Sequence, residues 1–436
     1  MLAAPRLAQV IYRAALLHHR LGNRDDALKY YLLSDQFAPG APDIGDNLAR
    51  LERGAPPRET PLNARTGLGR WMFMVGYQFA LDYGLAQSQA SGPPADPLDP
   101  LIGPIFAQLG LKLDPAADEL RVATANDLIG SGGAAGAEKL LTGVSADSPF
   151  AADVEIALAR ISIGKKEDNA AAASAMQALK IGGGRWDINL EAGRALTVAG
   201  RDREALAALT SAVDHADGAT AKAEALLARA GAHFQAGRLT DAGQDARAAV
   251  AADNQNSVQM SAAGYLSTTP EGWFEAIRLA REVLFARPRS VDAMNTLGYA
   301  LIQREQGLDE GFKLLSLGMA QSPDFYPIVD SLGWAYYNLG NFEMARELVS
   351  RANDLSKDDP NSEVLDHLGD IQWRLKKPEE ARKLWRQALD YRPDATRRAD
   401  LDRKIRAGLT APAPARRAPP VVDYNPYRAA PDRGPI

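Results

Sequence analysis

The sequence predicts an all-α solenoid, in which antiparallel helix pairs stack in series and each pair buries its apolar face only against its neighbours. Three observations point there. A stretch near the C-terminus is written twice, 36 residues apart: DSLGWAYYNLGNFEMARELVSRANDLSKDDP from Asp330 and DHLGDIQWRLKKPEEARKLWRQALDYRPD from Asp366. The copies share Leu-Gly (Leu332-Gly333, Leu368-Gly369), an alanine twelve residues on (Ala345, Ala381) and a later proline (Pro360, Pro393). The same ruler of small residue, alanine and proline extends over most of the 436 residues.

The spacing has a mechanical cause. Gly333 and Gly369 sit where the first helix of a pair crosses the second, and a small side chain lets the backbones approach. Ala345 and Ala381 are read as the matching small surface on the second helix, and the proline ends that helix or opens the next. Trp334, Tyr336, Leu348, Trp373, Leu384 and Trp385 fill the layers between. This pattern resembles the tetratricopeptide repeat family, with a period of about 34 residues. The resemblance implies a right-handed superhelical α-solenoid that serves as a protein-binding surface, without catalysis of its own.

Upstream, the ruler fits Gly264, Ala276 and Pro288, and with one inserted residue Gly298, Gly311 and Pro323. Weaker copies start at Gly193 with Ala205 and at Ala230 with Ala242. Ala125, Ala137 and Pro149 match again, Ala157 marks a degenerate copy, and Ala15, Ala27 and Pro39 match around LGNRDDA. The expected organisation is an isolated helix pair and a short helix over 1–52, an irregular Pro/Gly-rich and aromatic insertion over 53–116, and about eight repeats over 117–394. A capping helix over 395–409 and a disordered tail over 410–436 complete it.

Within the insertion, GLGRWMFMVGYQFALDYGLA alternates large apolar residues (Trp71, Phe73, Val75, Tyr77, Phe79, Leu81, Tyr83, Leu85) with small or polar ones. That alternation suits a strand, even a lipid-facing one, but a barrel needs at least eight such strands and no second exists. A buried helix with Gln78 and Asp82 on one narrow face is the other reading. The tail holds seven prolines in 27 residues and little that can pack, which suits an inert, disordered or polyproline-like segment; a short docking motif around VVDYNPY is the alternative.

With 46% hydrophobic residues the chain has ample core material, and no run of eighteen apolar residues suggests a transmembrane helix. Zero cysteines exclude disulfides, thiol catalysis and cysteine-based zinc sites. MLAAPRLAQVIYRAALLHHRLG is repeat-like and carries His and Arg where a signal peptide keeps an unbroken apolar core, so a cytoplasmic location is expected for the chain as written. A first repeat without a polar cap leaves room for an upstream segment. The rival reading is then a secreted envelope assembly factor or lipid-associated periplasmic protein, with 67–86 contacting membrane. The net charge of −5 hides an asymmetry: from Arg374 onward sixteen basic residues face eight acidic ones. RRADLDRKIRAGL, with charges alternating in sign, reads as a solvated cap on the last repeat, or as a basic end for an anionic partner.

Local motifs carry little chemistry. GSGGAA at Gly130–Ala135 fits a dinucleotide fingerprint but follows a helix and falls on a turn, where a strand should precede it. Gly164-Lys165-Lys166 lacks the preceding glycine of a phosphate loop. None of the five histidines stands in a metalloprotease arrangement. Asp366-His367-x-x-Asp370 gathers acids and an imidazole within one helical turn, a weak metal motif that reads better as surface polarity. No catalytic residue, metal or cofactor is expected, and no nucleic-acid partner.

The sharper expectation follows from the family resemblance, which places the first helix of each pair along the concave groove. The positions it implies are Asn295, Tyr299, Ile302 and Gln303; then Asp330, Trp334, Tyr337 and Asn338; then Asp366, Asp370, Trp373 and Arg374. Asn295, Asp330 and Asp366 would form a polar ladder flanked by aromatic residues, suited to an extended peptide backbone. The alternative is that Trp334, Tyr337 and Trp373 only pack between repeats. Peptide-binding family members use a carboxylate clamp of Lys, Asn and Arg; here the groove is acidic and aromatic, which implies a protein partner with a basic or polar segment.

Overall fold

The computed structural model describes residues 4–38, 41–58, 63–89, 99–269, 271–303, 307–357 and 360–423, with side chains except over 4–9, 77–102 and 104. Every regular element among the described residues is a helix. The chain divides into two compact units, Met1–Ala216 and Asp217–Ile436.

The first unit holds α1 (Ala4–Arg20), α2 (Arg24–Phe37), α3 (Pro42–Glu52), α4 (Ala64–Gln89), α5 (Asp99–Leu113), α6 (Asp118–Gly130), α7 (Ala134–Leu141), α8 (Ala151–Gly164), α9 (Asp168–Gly182), α10 (Trp186–Val198) and α11 (Asp202–His215). The second holds α12 (Ala219–Gln235), α13 (Leu239–Ala252), α14 (Asn256–Ser267), α15 (Trp273–Ala286), α16 (Val291–Gln303), α17 (Leu308–Gln321), α18 (Tyr326–Asn338), α19 (Phe342–Leu355), α20 (Ser362–Arg374), α21 (Pro378–Leu389) and α22 (Ala395–Ala407). Except for α3 and α22, consecutive helices pack in pairs, and within each unit the pairs from α6 onward stack on their neighbours. The fold class expected from the repeat is thus the one observed.

The crossings refine the ruler. A Cβ added at Gly193, Gly333 or Gly369 would collide with a bulky side chain sixteen positions on: Leu209, Val349 and Trp385. Gly298, whose pair carries the inserted residue, meets Leu315 seventeen positions on. The glycine is therefore a hole for a large knob, while the alanine at plus twelve (Ala205, Ala345, Ala381) is fully buried one helical turn earlier. Gly264 departs from the ruler: nothing lies within 4 Å of its would-be Cβ, and its neighbour Ala263 is the buried residue. Five residues, Thr268–Gly272, separate α14 from α15, and they shift the register by one.

Several turns inside pairs end the first helix with one residue in the left-handed region, among them Gly340 (φ 68°) after α18 and Lys376 (φ 64°) after α20. The amides of Asn341 and Lys377 then reach back to the carbonyls of Tyr336 and Gln372 at 3.0 Å, a Schellman closure. Gly132 and Lys166 occupy the same position in the α6–α7 and α8–α9 turns, so GSGGAA and Gly164-Lys165-Lys166 are pair turns.

Two expected regions are corrected. The supposedly irregular 53–116 insertion contains the 26-residue α4 and the 15-residue α5, packed as an antiparallel pair. Glycines at a seven-residue interval on α4 let the backbones touch: a Cβ on Gly69 would stand 2.7 Å from the Gly110 carbonyl oxygen, and one on Gly76 2.8 Å from that of Gly103. Segment 67–86 is therefore helix, and no described helix is long and apolar enough to cross a membrane. The tail from 410 is not free over 410–423, where it lies without helix or strand against the second unit. The rest of it, including most of VVDYNPY, lies outside the described residues.

Candidate interaction surface

The predicted groove residues recur on α16, α18 and α20, the first helices of the last three pairs. The structure brings many of them together, but not as an open ladder. Asp330, Asp366 and Asp370 are only 6%, 5% and 6% exposed, and Ile302 and Tyr337 are buried as well. Asn295, Tyr299, Trp334, Asn338, Trp373 and Arg374 are half-buried, and Gln303 is exposed. Asn295 does not join the aspartates, and its Oδ1 is buried with no hydrogen-bond partner among the described residues.

Each aspartate is neutralised from within the unit. Asp330 Oδ2 accepts from His367 Nδ1 at 2.9 Å. Asp370 Oδ1 accepts from Trp385 Nε1 at 3.0 Å. Lys404 of α22 places its ammonium 2.6 Å from Asp366 Oδ1 and 2.9 Å from Asp370 Oδ1, with Asp400 Oδ2 at 3.1 Å. Arg397, two turns earlier on α22, donates to Glu363 Oε1 at 2.6 Å and to Asp366 Oδ2 at 3.3 Å. The Asp366-His367-x-x-Asp370 motif is thus a buried acid pair holding a lysine, and the reading of it as surface polarity is corrected.

Aromatic groups complete the cluster. Trp334 stacks on Tyr337 (centroids 4.4 Å apart, planes at 5°) and on His367 (4.1 Å, 16°). Tyr299 donates to Glu363 Oε1 at 2.8 Å and accepts from Gln303 Nε2 at 2.7 Å. Arg374 Nε donates to the Tyr337 hydroxyl at 3.0 Å, and Asn338 Nδ2 to the Trp334 carbonyl at 2.9 Å.

Electrostatics follow from this burial. Burial works against a charged His367, yet the Asp330 carboxylate overcomes it and holds the imidazole pKa above its ordinary value. Burial pushes Asp370 up to about 6, although the Lys404 ammonium pulls the other way. Burial likewise opposes the charge on Lys404, but Asp370 and Asp366 outweigh it and raise its pKa. The cap is therefore an ionic plug and not a solvated shield. Its signal was present in the sequence: Arg397, Leu401 and Lys404 fall at i, i+4 and i+7 of one helix, so burying Leu401 drags both cations inward.

The first unit offers a second cluster, a cleft of about 130 Å³ lined in part by Tyr12, Asp43, Asn47, Arg58, Arg70 and Glu119. Arg70 bridges Asp114 at 2.9 Å and Glu119 at 3.5 Å, Arg58 meets Asp46 at 3.3 Å, and Asn47 bonds the Tyr12 hydroxyl at 2.7 Å. These pairs fasten α1 to α3 and α4 to α6.

Family models described as tetratricopeptide repeat match residues 190–257, 328–359 and 362–395. Among solved structures, a tetratricopeptide repeat protein from Parabacteroides merdae is 14% identical, with 58% of this chain and 97% of that one covered and a TM-score of 0.46. A thermophilic TPR protein of Thermus thermophilus is 19% identical, covering 52% of this chain and 100% of its own, with a TM-score of 0.30. YrrB, a TPR protein with an unusual peptide-binding site, is 18% identical over 43% of this chain and 95% of its own, with a TM-score of 0.30. No curated protein matches the sequence.

Proposed function

We propose that this chain, a tetratricopeptide repeat protein, is a non-catalytic scaffold whose second unit holds a partner's basic or polar segment on the first-helix face of α16, α18 and α20. Proteins built from this repeat bind peptide or protein partners in general. The observation that supports the finer reading is α22 itself. A basic helix is seated on Glu363, Asp366 and Asp370, and its Arg397 and Lys404 satisfy those carboxylates. The face is thus acidic, and it accepts cations in paired, desolvated geometry.

The residues left to meet a partner are Asn295, Tyr299, Gln303, Trp334 and Asn338, because Gly408 and Pro412 already lie against Trp373 and Arg374. Asp330 and Asp366, the positions a sequence-based test would change first, hold buried His367, Arg397 and Lys404. Their replacement reports on folding before it reports on binding.

The test is a peptide array probed with the full chain at two ionic strengths. Preference for basic or polar segments, weakening as salt screens the charges, is the expected outcome. In the Gln303→Ala, Asn338→Ala double variant the same peptides bind more weakly. A preference for acidic C-terminal peptides overturns the reading.

A further inference from the structure

The chain turns back after α22. Gly408 (φ 72°) packs flat on Trp373, where any Cβ would collide with the indole. Residues 410–423 then run along the turns that close α20 and α18. Arg374 Nη2 donates to the Pro412 carbonyl at 3.2 Å, and the Arg417 amide donates to the Leu339 carbonyl at 2.9 Å. A Cβ on Gly340 would stand 2.8 Å from the Ala415 and Arg416 backbones, so the glycine forms the floor under the segment. Val422 packs onto the core cluster that includes Leu332, Leu339 and Leu368.

Each part of this seat reads backbone or small side chains. The Leu339 carbonyl belongs to the last turn of a helix, where acceptors lack intrahelical partners. Prolines 412, 414, 419 and 420 restrict the segment to extended conformations, which lowers the entropy lost on docking. The side chains of Arg416 and Arg417 stay exposed, as does most of the segment. A tether can sustain so thin a grip, and a better ligand can displace it.

We propose that this seat is a docking site for an extended, proline-containing segment of a partner protein, and that residues 410–422 are its intramolecular competitor. A segment on a short linker acts at an effective concentration of about 1 mM, so a seat with an intrinsic dissociation constant of about 0.1 mM is filled from within about ten times in eleven. An outside segment then binds about ten-fold more weakly than to an empty seat. A second copy's tail has the same sequence and no local advantage, so it loses to the resident one. A partner that also holds another surface of the unit does not.

The seat lies at the pair turns and not on the acidic carboxylates, so it stands or falls apart from the basic-segment preference. The test uses the full chain and a labelled peptide, TAPAPARRAPPVVD, followed by fluorescence anisotropy. Arg417→Pro removes the amide that bonds Leu339 and keeps the tail extended; this chain is expected to bind the probe about ten-fold more tightly than the wild type. Adding Gly340→Ala should abolish probe binding, with the helical circular dichroism signal retained. Equal affinity for wild type and Arg417→Pro, or no binding to Arg417→Pro, overturns the proposal. A wild-type dimer that Arg417→Pro dissociates would assign the seat to a second copy and overturn the partner.

Discussion

The buried cluster spanning α8–α11 consists of eight alanines with Ile156, Ile188 and Leu196, whereas the stack from α18 to α22 buries Trp385, Leu348, Val349 and Ile371 beside four aspartates, a histidine and a lysine. Both follow one helix-pair scheme. Small side chains bring helices together over long contacts, each weak, and ask only that volume be respected. The C-terminal stack instead spends desolvation energy on charges, and those charges choose which helix sits where. A repeat can thus be closed by shape or by specific ion pairing, and this chain uses both.

Removing the lysine should break the contrast most. Lys404→Met leaves Asp366 and Asp370 buried with an incomplete set of partners, at an expected loss of about 3–5 kcal/mol. Urea unfolding followed by tryptophan fluorescence measures it, and a loss below about 1 kcal/mol would mean that water reaches the acids. In the alanine stack the sensitivity is to volume: Ala175→Leu on α9 should cost about 1–3 kcal/mol by overpacking, with no dependence on salt. Salt-dependent destabilisation would show that the stack hides a charge term.

Acidity sharpens the comparison further. His367 has a raised folded pKa, so its contribution is complete below the unfolded value of 6.5 and is lost as pH rises through the folded one. Asp370, raised from 3.8 to about 6, acts in the same direction at lower pH. The urea midpoint of the second unit should therefore fall as pH rises above 6.5 through His367, and His367→Gln should flatten that fall; an unchanged slope would remove the imidazole from the account. Asp330, Glu363 and Arg397 act on it most strongly, and Asp370 interacts with it as well. The smallest effect is a gain: Gly264→Ala has open space for its Cβ and should stabilise α14 by about 0.5–1 kcal/mol, read as a higher thermal midpoint.

The fold was legible because helix crossings constrain neighbouring residues: Gly193, Gly298, Gly333 and Gly369 must be small wherever a large knob arrives. The α4–α5 pair was hidden because the period-two alternation of large residues masks Gly69 and Gly76, the spacing that carries its contact. The site was half legible. Family geometry pointed to α16, α18 and α20, but the groups that occupy Asp366 lie 31 and 38 residues downstream, beyond the reach of any local pattern. A charged helix rich in Arg and Asp looks solvated until one of its faces has to cover Leu401.

The tie between α22 and α20 also has a consequence in time. During synthesis, Asp366 and Asp370 emerge well before Lys404, and until it follows they can be charged only where water still reaches them. The final pairs of the stack therefore settle only after their cap has been made, and α22 decides when α18–α21 become rigid.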